Sequence, residues 1–248
     1  MTAHRSDGGP VGFSQALDEL NRRQKTSKGA PAYSLLINRP LGRRFAAVAY
    51  VLGRTPNQVT ALSATFTLAA IVLIATVDPT VASSLLVSVL LVVGYALDAA
   101  DGQLARLRGG GSAAGEWLDH LVDAAKVVML HAAVLINWFR FGDSPEWILL
   151  IPLAYMIVAS VLFFIIILND QIRRAHRNTT AMILAGDGSS SRLYSLAVIP
   201  TDYGLMCLVF SVMFWRDGFR VIYAILMLAN AGFLSLGLVK WFREVSRY

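Results

Sequence analysis

Asp98, Asp101, Asp119 and Asp123 are the residues of this chain whose type and spacing could do chemistry. The stretch "LDAADGQLAR" (97–106) closes one apolar run, and "GEWLDHLVD" (115–123) opens the next. On a helix, positions 98, 101, 102, 105 and 106 follow an i, i+3, i+4, i+7, i+8 pattern and share one face. Gly115, Asp119 and Asp123 are spaced by fours and form a second stripe. Only the glycine turn Gly109 to Gly111 separates the two runs, so the helices are expected to be antiparallel neighbours with their acidic stripes facing at one depth. Ionised groups in or near a bilayer core cost about 2.5 to 3.5 kcal/mol each. Four converging carboxylates cannot all stay charged without positive charge between them. Hard divalent cations with oxygen ligands, Mg²⁺ or Mn²⁺ above all, would supply it. Two such ions about 4 Å apart suit phosphoryl chemistry, because they can hold both the attacking and the leaving oxygen. The small residues Gly102, Ala105 and Gly115 leave room for a bulky ligand. A single aspartate at a helix end is explained well enough by solvent or by pairing with Arg106, Arg108 or Lys126. Four on two matched stripes are not.

The elements that must position these acids are read from composition and block structure. Of 248 residues, 56% are hydrophobic and 15% charged, whereas a soluble domain carries about 25% charged residues. The apolar residues come in long blocks, which makes the chain a polytopic, all-α integral membrane protein. Six segments reach the roughly 20 residues needed to cross a bilayer core as helix: 58–77, 81–107, 114–139, 146–172, 193–215 and 219–242. Turn chemistry marks the breaks: "DPT", "RGGGS", "FGDSPE", "RDGF" and the longer polar stretch 173–192. Ahead of the spans, "AYSLLINRPLGRRFAAVAYVLGR" (32–54) alternates apolar residues with Arg39, Arg43, Arg44 and Arg54, the pattern of an amphipathic interfacial helix. The domain plan is therefore a cytoplasmic N-terminal segment (1–30), a juxtamembrane amphipathic helix (31–54) and a six-helix transmembrane domain (55–248). The extreme N-terminus, to about Pro10, is expected to be disordered, and no removable signal peptide is evident.

With the N-terminus inside, the inside segments hold 18 of the 22 Lys and Arg residues. The outside loops keep only Arg140, Arg216 and Arg220, and Lys126 lies within a span. That asymmetry places both termini, and the acidic ends of the second and third spans, in the cytoplasm. It also accounts for the net charge of +6 without nucleic acid as a partner. Cys207 is the single cysteine, so no disulfide framework is available. The four histidines are scattered, and only His120 falls near the acids.

The residues Asp98-x-x-Asp101-Gly102-x-x-Ala105-Arg106, eight residues, Gly115-x-x-x-Asp119-x-x-x-Asp123 resemble the signature of the CDP-alcohol phosphotransferases, with every required position filled. The resemblance extends to the six-helix plan, the amphipathic N-terminal helix and "TPNQVT" (55–60) at the entrance to the first span. It implies an integral membrane homodimer, in a bacterial plasma membrane, that opens the diphosphate of a CDP-linked lipid and releases CMP as an alcohol takes its place. It implies further that Asp98, Asp101, Asp119 and Asp123 are ligands of two divalent ions, with Asp123 also the general base. Gly102, Ala105 and Gly115 would let the cytidine and diphosphate approach, with Asp98 beside them. Arg106 would brace the aspartates or touch the diphosphate.

Within that family the donor is expected to be CDP-diacylglycerol, and a CDP-linked small alcohol transferred to a lipid alcohol is the alternative. The acceptor is expected to be a small polar alcohol, inositol phosphate first, held by Arg192, Lys240 and one of Arg173 or Arg174. The helix-five and helix-six positions resemble those of phosphatidylinositol-phosphate synthases. "NDQIRR" (169–174) departs from their spacing, and Asn169, Asp170 and Gln171 could instead bind the hydroxyls of a neutral acceptor. Two readings from other classes also fit the acids: a divalent-cation transporter, against which stands the absence of a midplane acid, and a scaffold whose acids are structurally paired.

Overall fold

The computed structural model describes residues 12–23, 32–142, 145–176 and 201–248, and among them no strand occurs. Residues 1–11, Arg192 and the first part of the expected 193–215 span lie outside the described residues. The helices are α1 (Phe13–Arg22), α2 (Arg39–Val51, entered through a π-helical turn, Ser34–Asn38), α3 (Pro56–Thr76), α4 (Val81–Leu107), α5 (Ala113–Phe141), α6 (Leu150–His176, after a 3₁₀ turn at Glu146–Leu149), α7 (Tyr203–Val209) and α8 (Arg216–Val245). Five of them, α3, α4, α5, α6 with its leading turn, and α8, are long and apolar enough to cross a membrane. Their bounds match the expected spans to within a few residues. The described part of the remaining expected span is the short helix α7, running into a 3₁₀ turn at Phe210–Val212.

Local sequence explains where the helices begin. Thr55 closes a capping box with Gln58: its hydroxyl accepts from the Gln58 amide at 3.3 Å while Gln58 Oε1 accepts from the Thr55 amide at 3.1 Å. Pro56 follows as the first helical residue, where its missing N–H is harmless. Thr80 and Ser83 repeat the device for α4, and Ser112 caps α5 by accepting from the Gly115 amide at 3.0 Å. Between α4 and α5, Gly109 and Gly110 adopt φ of 98° and 132°, a region that suits glycine alone.

α4 is the hub. It packs along α3, carries α2 on another side and meets α7 on a third. The contact with α2 is made through small residues, with Gly42, Ala46, Ala47 and Ala49 buried, and a methyl group at Gly42 would stand 2.9 Å from Ala99 Cβ. The expected amphipathic helix therefore has its small-residue side on protein, while its outer side exposes Leu36, Ile37, Val48, Val51 and Leu52 beside Arg44. The α3–α4 contact is tighter still. Ser63 Oγ donates to the Gly94 carbonyl at 2.8 Å, and a methyl at Gly94 would meet Thr67 Oγ1 at 2.5 Å.

One expectation needs correction. α4 and α5 do not pack side by side; each packs on α3, and direct backbone approach between them is slight. α3 packs against both and sets their spacing, and side chains rather than backbones close the distance between them, with Lys126 of α5 reaching Asp98 of α4 at 2.6 Å.

α1 was not expected from the sequence. Its signal is short: Phe13, Ala16, Leu17 and Leu20 recur at helical spacing, and Ala16 and Leu20 are fully covered by α2 and α4. Arg23 at its end donates to the Arg106 carbonyl at 3.0 Å, closing the C-terminus of α4. The Arg23 guanidinium also holds Glu19 below the usual carboxylate range through a side-chain hydrogen bond.

At the bundle end opposite the aspartates, the three arginines that broke the charge asymmetry have structural partners. Arg140 donates to the Ala75 carbonyl at 3.3 Å, at the end of α3. Arg216 donates to the Phe141 carbonyl and pairs with Asp78. Arg220 pairs with Asp217 at 3.0 Å and lies over the Trp138 ring. Two of the three thus serve helix C-termini, where a cation is stabilising.

Candidate metal centre and active site

Asp98 from α4 and Asp119 and Asp123 from α5 each offer a carboxylate oxygen, and these three atoms lie within 4.8 Å of one another. The three side chains are only partly buried, so the group opens toward the cleft that α4 and α5 leave between them. Asp101 stands apart from that trio. It is buried at 6% exposure, and its Oδ2 accepts from Thr60 Oγ1 at 2.6 Å.

"TPNQVT" thereby acquires a physical role, since two of its residues touch the acidic motif. Thr60 holds Asp101, and Asn57 lies against Gly115, where a methyl group would approach Asn57 Oδ1 to 3.2 Å. Gly102 differs from the tightly packed glycines. A methyl there would find only Arg106 Nη1, at an ordinary 3.5 Å. Packing within the chain does not demand glycine at 102, and the open face adjoins the acids one turn from Asp98. Arg106 runs its guanidinium back along this face.

Sequence reasoning offered Lys126 only as one of three possible partners for a single aspartate; in the structure it is 7% exposed and inserts its ammonium between two of the acids. Its Nζ donates to Asp98 Oδ1 at 2.6 Å and to Asp123 Oδ1 at 3.1 Å, with Ser63 Oγ at 3.3 Å. The signal was present, because Lys126 is three residues after Asp123 and shares its face. Ser63, three residues after Thr60, was equally legible as a polar position on the inner side of α3.

The residues expected to hold an acceptor phosphate are placed as follows. Arg173 is buried and forms a two-pronged pair with Glu244 of α8, at 2.7 and 2.8 Å. Arg174 Nη1 pairs with Glu116 of α5 at 2.7 Å and its Nε lies 2.7 Å from Asp170 Oδ2. His120 Nε2 is 3.7 Å from the same Glu116. Lys240 is exposed on α8, and Arg192 is outside the described residues. Asn169, beside Asp170, is 4% exposed, and its Nδ2 makes no hydrogen bond within the described structure.

Chemically, the centre fits a hard divalent cation. Its donors are carboxylate oxygens alone, they converge to metal-bridging separations, and a cationic group is already drawn into the space between them.

A family model for CDP-alcohol phosphatidyltransferase matches residues 54–236. Among solved structures, the chain is similar to the phosphatidylinositol phosphate synthase of Mycobacterium tuberculosis with CDP-DAG bound. That match has 22% identity and a TM-score of 0.52, covering 83% of this chain and 94% of that one. A second structure of that synthase, in complex with manganese and citrate, matches at 19% identity and a TM-score of 0.53, over 83% and 89%. At these identities the likeness speaks for the fold. No curated protein sequence matches the chain. With its acidic motif assembled at one end of the bundle and the family model spanning most of its length, the chain belongs to the CDP-alcohol phosphatidyltransferase family, the membrane phosphotransferases of phospholipid synthesis.

Proposed function

We propose that this enzyme transfers phosphatidyl from CDP-diacylglycerol to a small polar alcohol and releases CMP. The observation that carries the reading is the convergence of Asp98, Asp119 and Asp123 beside the open face of Gly102. Asp98, Asp101, Asp119 and Asp123 would hold two Mg²⁺ or Mn²⁺ ions, with Asp101 turned by Thr60. When bound, such ions neutralise the diphosphate and stabilise the leaving oxygen. The chain's own residues do the rest. Gly102, Ala105 and Gly115 admit the cytidine diphosphate close to the backbone, and Arg106 lies along its path. Asp123 takes the proton from the acceptor hydroxyl as that oxygen bonds to phosphorus. The bond from phosphorus to the bridging oxygen breaks, and CMP leaves with the electron pair. Alignment and charge placement carry most of such a transfer. The CDP-DAG-bound neighbour supports the donor; a CDP-linked small alcohol remains the other donor in the family.

The domain plan, with 31–54 at the interface and 55–248 as the catalytic bundle, belongs to the same proposal. So do a homodimeric state, a bacterial plasma membrane and cytoplasmic placement of both termini and the acids.

For the acceptor, an alcohol bearing a phosphate, such as inositol phosphate, is supported by the synthase neighbours and by Arg173, Arg174 and Lys240 on one end of the bundle. A second reading rests on a specific observation. Glu244 and Glu116 already neutralise Arg173 and Arg174, and Asn169 and Asp170, one turn before them on α6, are buried polar groups suited to the hydroxyls of a neutral polyol. CMP release from CDP-diacylglycerol in detergent, measured across inositol phosphate, glycerol phosphate, free inositol and serine, separates these readings. Faster turnover with a phosphorylated alcohol is expected. A neutral alcohol as the best substrate would move the assignment to Asn169 and Asp170, and no CMP release with any acceptor would defeat the proposal.

Gly102→Ala tests the donor path. It is expected to leave the melting temperature unchanged, because its methyl meets only an ordinary contact. The KM for the CDP-lipid should rise about tenfold, the lower range of crowding a tightly filled site. A stability loss without a KM effect would make Gly102 a packing residue.

A further inference from the structure

We propose that Lys126 is a resident counter-ion of the metal centre, occupying the space between Asp98 and Asp123 until a divalent ion displaces it, and thereby setting how tightly the enzyme holds metal. This rests on the metal-dependent reading above.

Four features carry it. The ammonium lies 2.6 Å from Asp98 Oδ1 and 3.1 Å from Asp123 Oδ1, two of the three acids whose oxygens converge. A Mg²⁺ or Mn²⁺ ion bound to both would sit about 2.0 to 2.2 Å from each oxygen. It would fill the same space, so the two cations exclude one another. The lysine is covered on all other sides, at 7% exposure, so solvent does not compete with the acids for it. Because α4 and α5 scarcely approach through their backbones, the Asp98–Lys126 pair is a direct link between them and holds the metal-free cleft together.

The geometry also provides for release. Ser63 Oγ, 3.3 Å from Nζ, is fixed from behind by its own donation to the Gly94 carbonyl, which leaves its lone pairs turned to the lysine. An ammonium on a four-carbon flexible stem can keep this partner while the carboxylates turn to a metal. A guanidinium, planar and bulkier, could not make that small shift as readily.

The test is Mn²⁺ binding to the purified full-length protein in detergent, followed by the loss of the free-ion paramagnetic resonance signal. Wild type is compared with Lys126→Met, which keeps the stem and removes the charge, and with Lys126→Gln. Both variants are expected to bind Mn²⁺ at least tenfold more tightly than wild type, equivalent to about 1.4 kcal/mol. In EDTA both should melt at lower temperature than wild type, and Mn²⁺ should raise their melting temperature by more than it raises that of wild type. A Lys126→Met protein that folds only when Mn²⁺ is present supports the proposal, because the ion then replaces the missing charge. Equal or weaker Mn²⁺ binding by whichever variant is obtained folded overturns it. Wild-type protein that binds no Mn²⁺ at all would instead remove the metal reading on which this inference stands.

Discussion

Replacing Asp98 or Asp119 by Asn is expected to lower CMP release by at least about a thousandfold, the upper scale for losing one group that stabilises developing charge. Asn keeps the size and one hydrogen-bonding oxygen of Asp, so helix packing is preserved while the anionic ligand is lost. These two positions come from different helices and meet across the cleft, so either change opens the oxygen cluster. Stripping divalent ions with EDTA should produce the same loss in wild type, reversed by adding Mg²⁺ or Mn²⁺. Full turnover by protein shown by elemental analysis to be metal-free would sink the assignment. Asp98→Asn carries one further signature, because it also removes the shorter of the two Lys126 ion pairs. Its melting temperature in EDTA should fall below that of Asp119→Asn.

Asp123→Asn is expected to cut turnover by roughly a hundredfold, the usual lower scale for loss of a general base, while binding of the CDP-lipid persists. The side chain is on the same stripe as Asp119 but one turn deeper, and Lys126 contacts it at 3.1 Å. A group that serves only as a metal ligand and one that also accepts the acceptor's proton differ in what they leave intact. Asn keeps an oxygen that can stay on the ion, so loss of the base leaves donor affinity unchanged. Should donor binding fall in step with turnover, Asp123 is a ligand alone, and the proton must go to another acceptor.

Much of this arrangement was legible in the sequence because bilayers impose length and periodicity. The bounds of α3, α4, α5, α6 and α8 followed from apolar blocks and from the turn chemistry at the breaks between them. The acidic stripes followed from helical spacing within one segment. What was not legible depended on contacts between segments far apart in the chain. Arg173 meets Glu244, 71 residues away, and Arg174 meets Glu116, 58 residues away; sequence offered several acidic partners for each and no means of choosing. The expected side-by-side packing of α4 and α5 failed for a related reason. A short turn fixes that two helices are consecutive, but α3 decides how far apart they lie. Lys126 illustrates the middle case. Its spacing from Asp123 was visible, yet its preference for Asp98 arises only when α4 brings that carboxylate within reach.

The Ser63–Gly94 contact has a consequence for how the chain can tolerate changes in length. It is a fixed crossing point between α3 and α4, four residues before Asp98, with no room for even a methyl group. A residue gained or lost in the 77–80 connection lies upstream of that crossing and can be absorbed there without disturbing the acids. A single residue inserted between Gly94 and Asp98 has no such outlet. At 3.6 residues per turn it would swing Asp98, Asp101, Gly102 and Arg106 together by about 100° around α4. The crossing thus divides α4 into a half whose length is negotiable and a half whose register is set by α3.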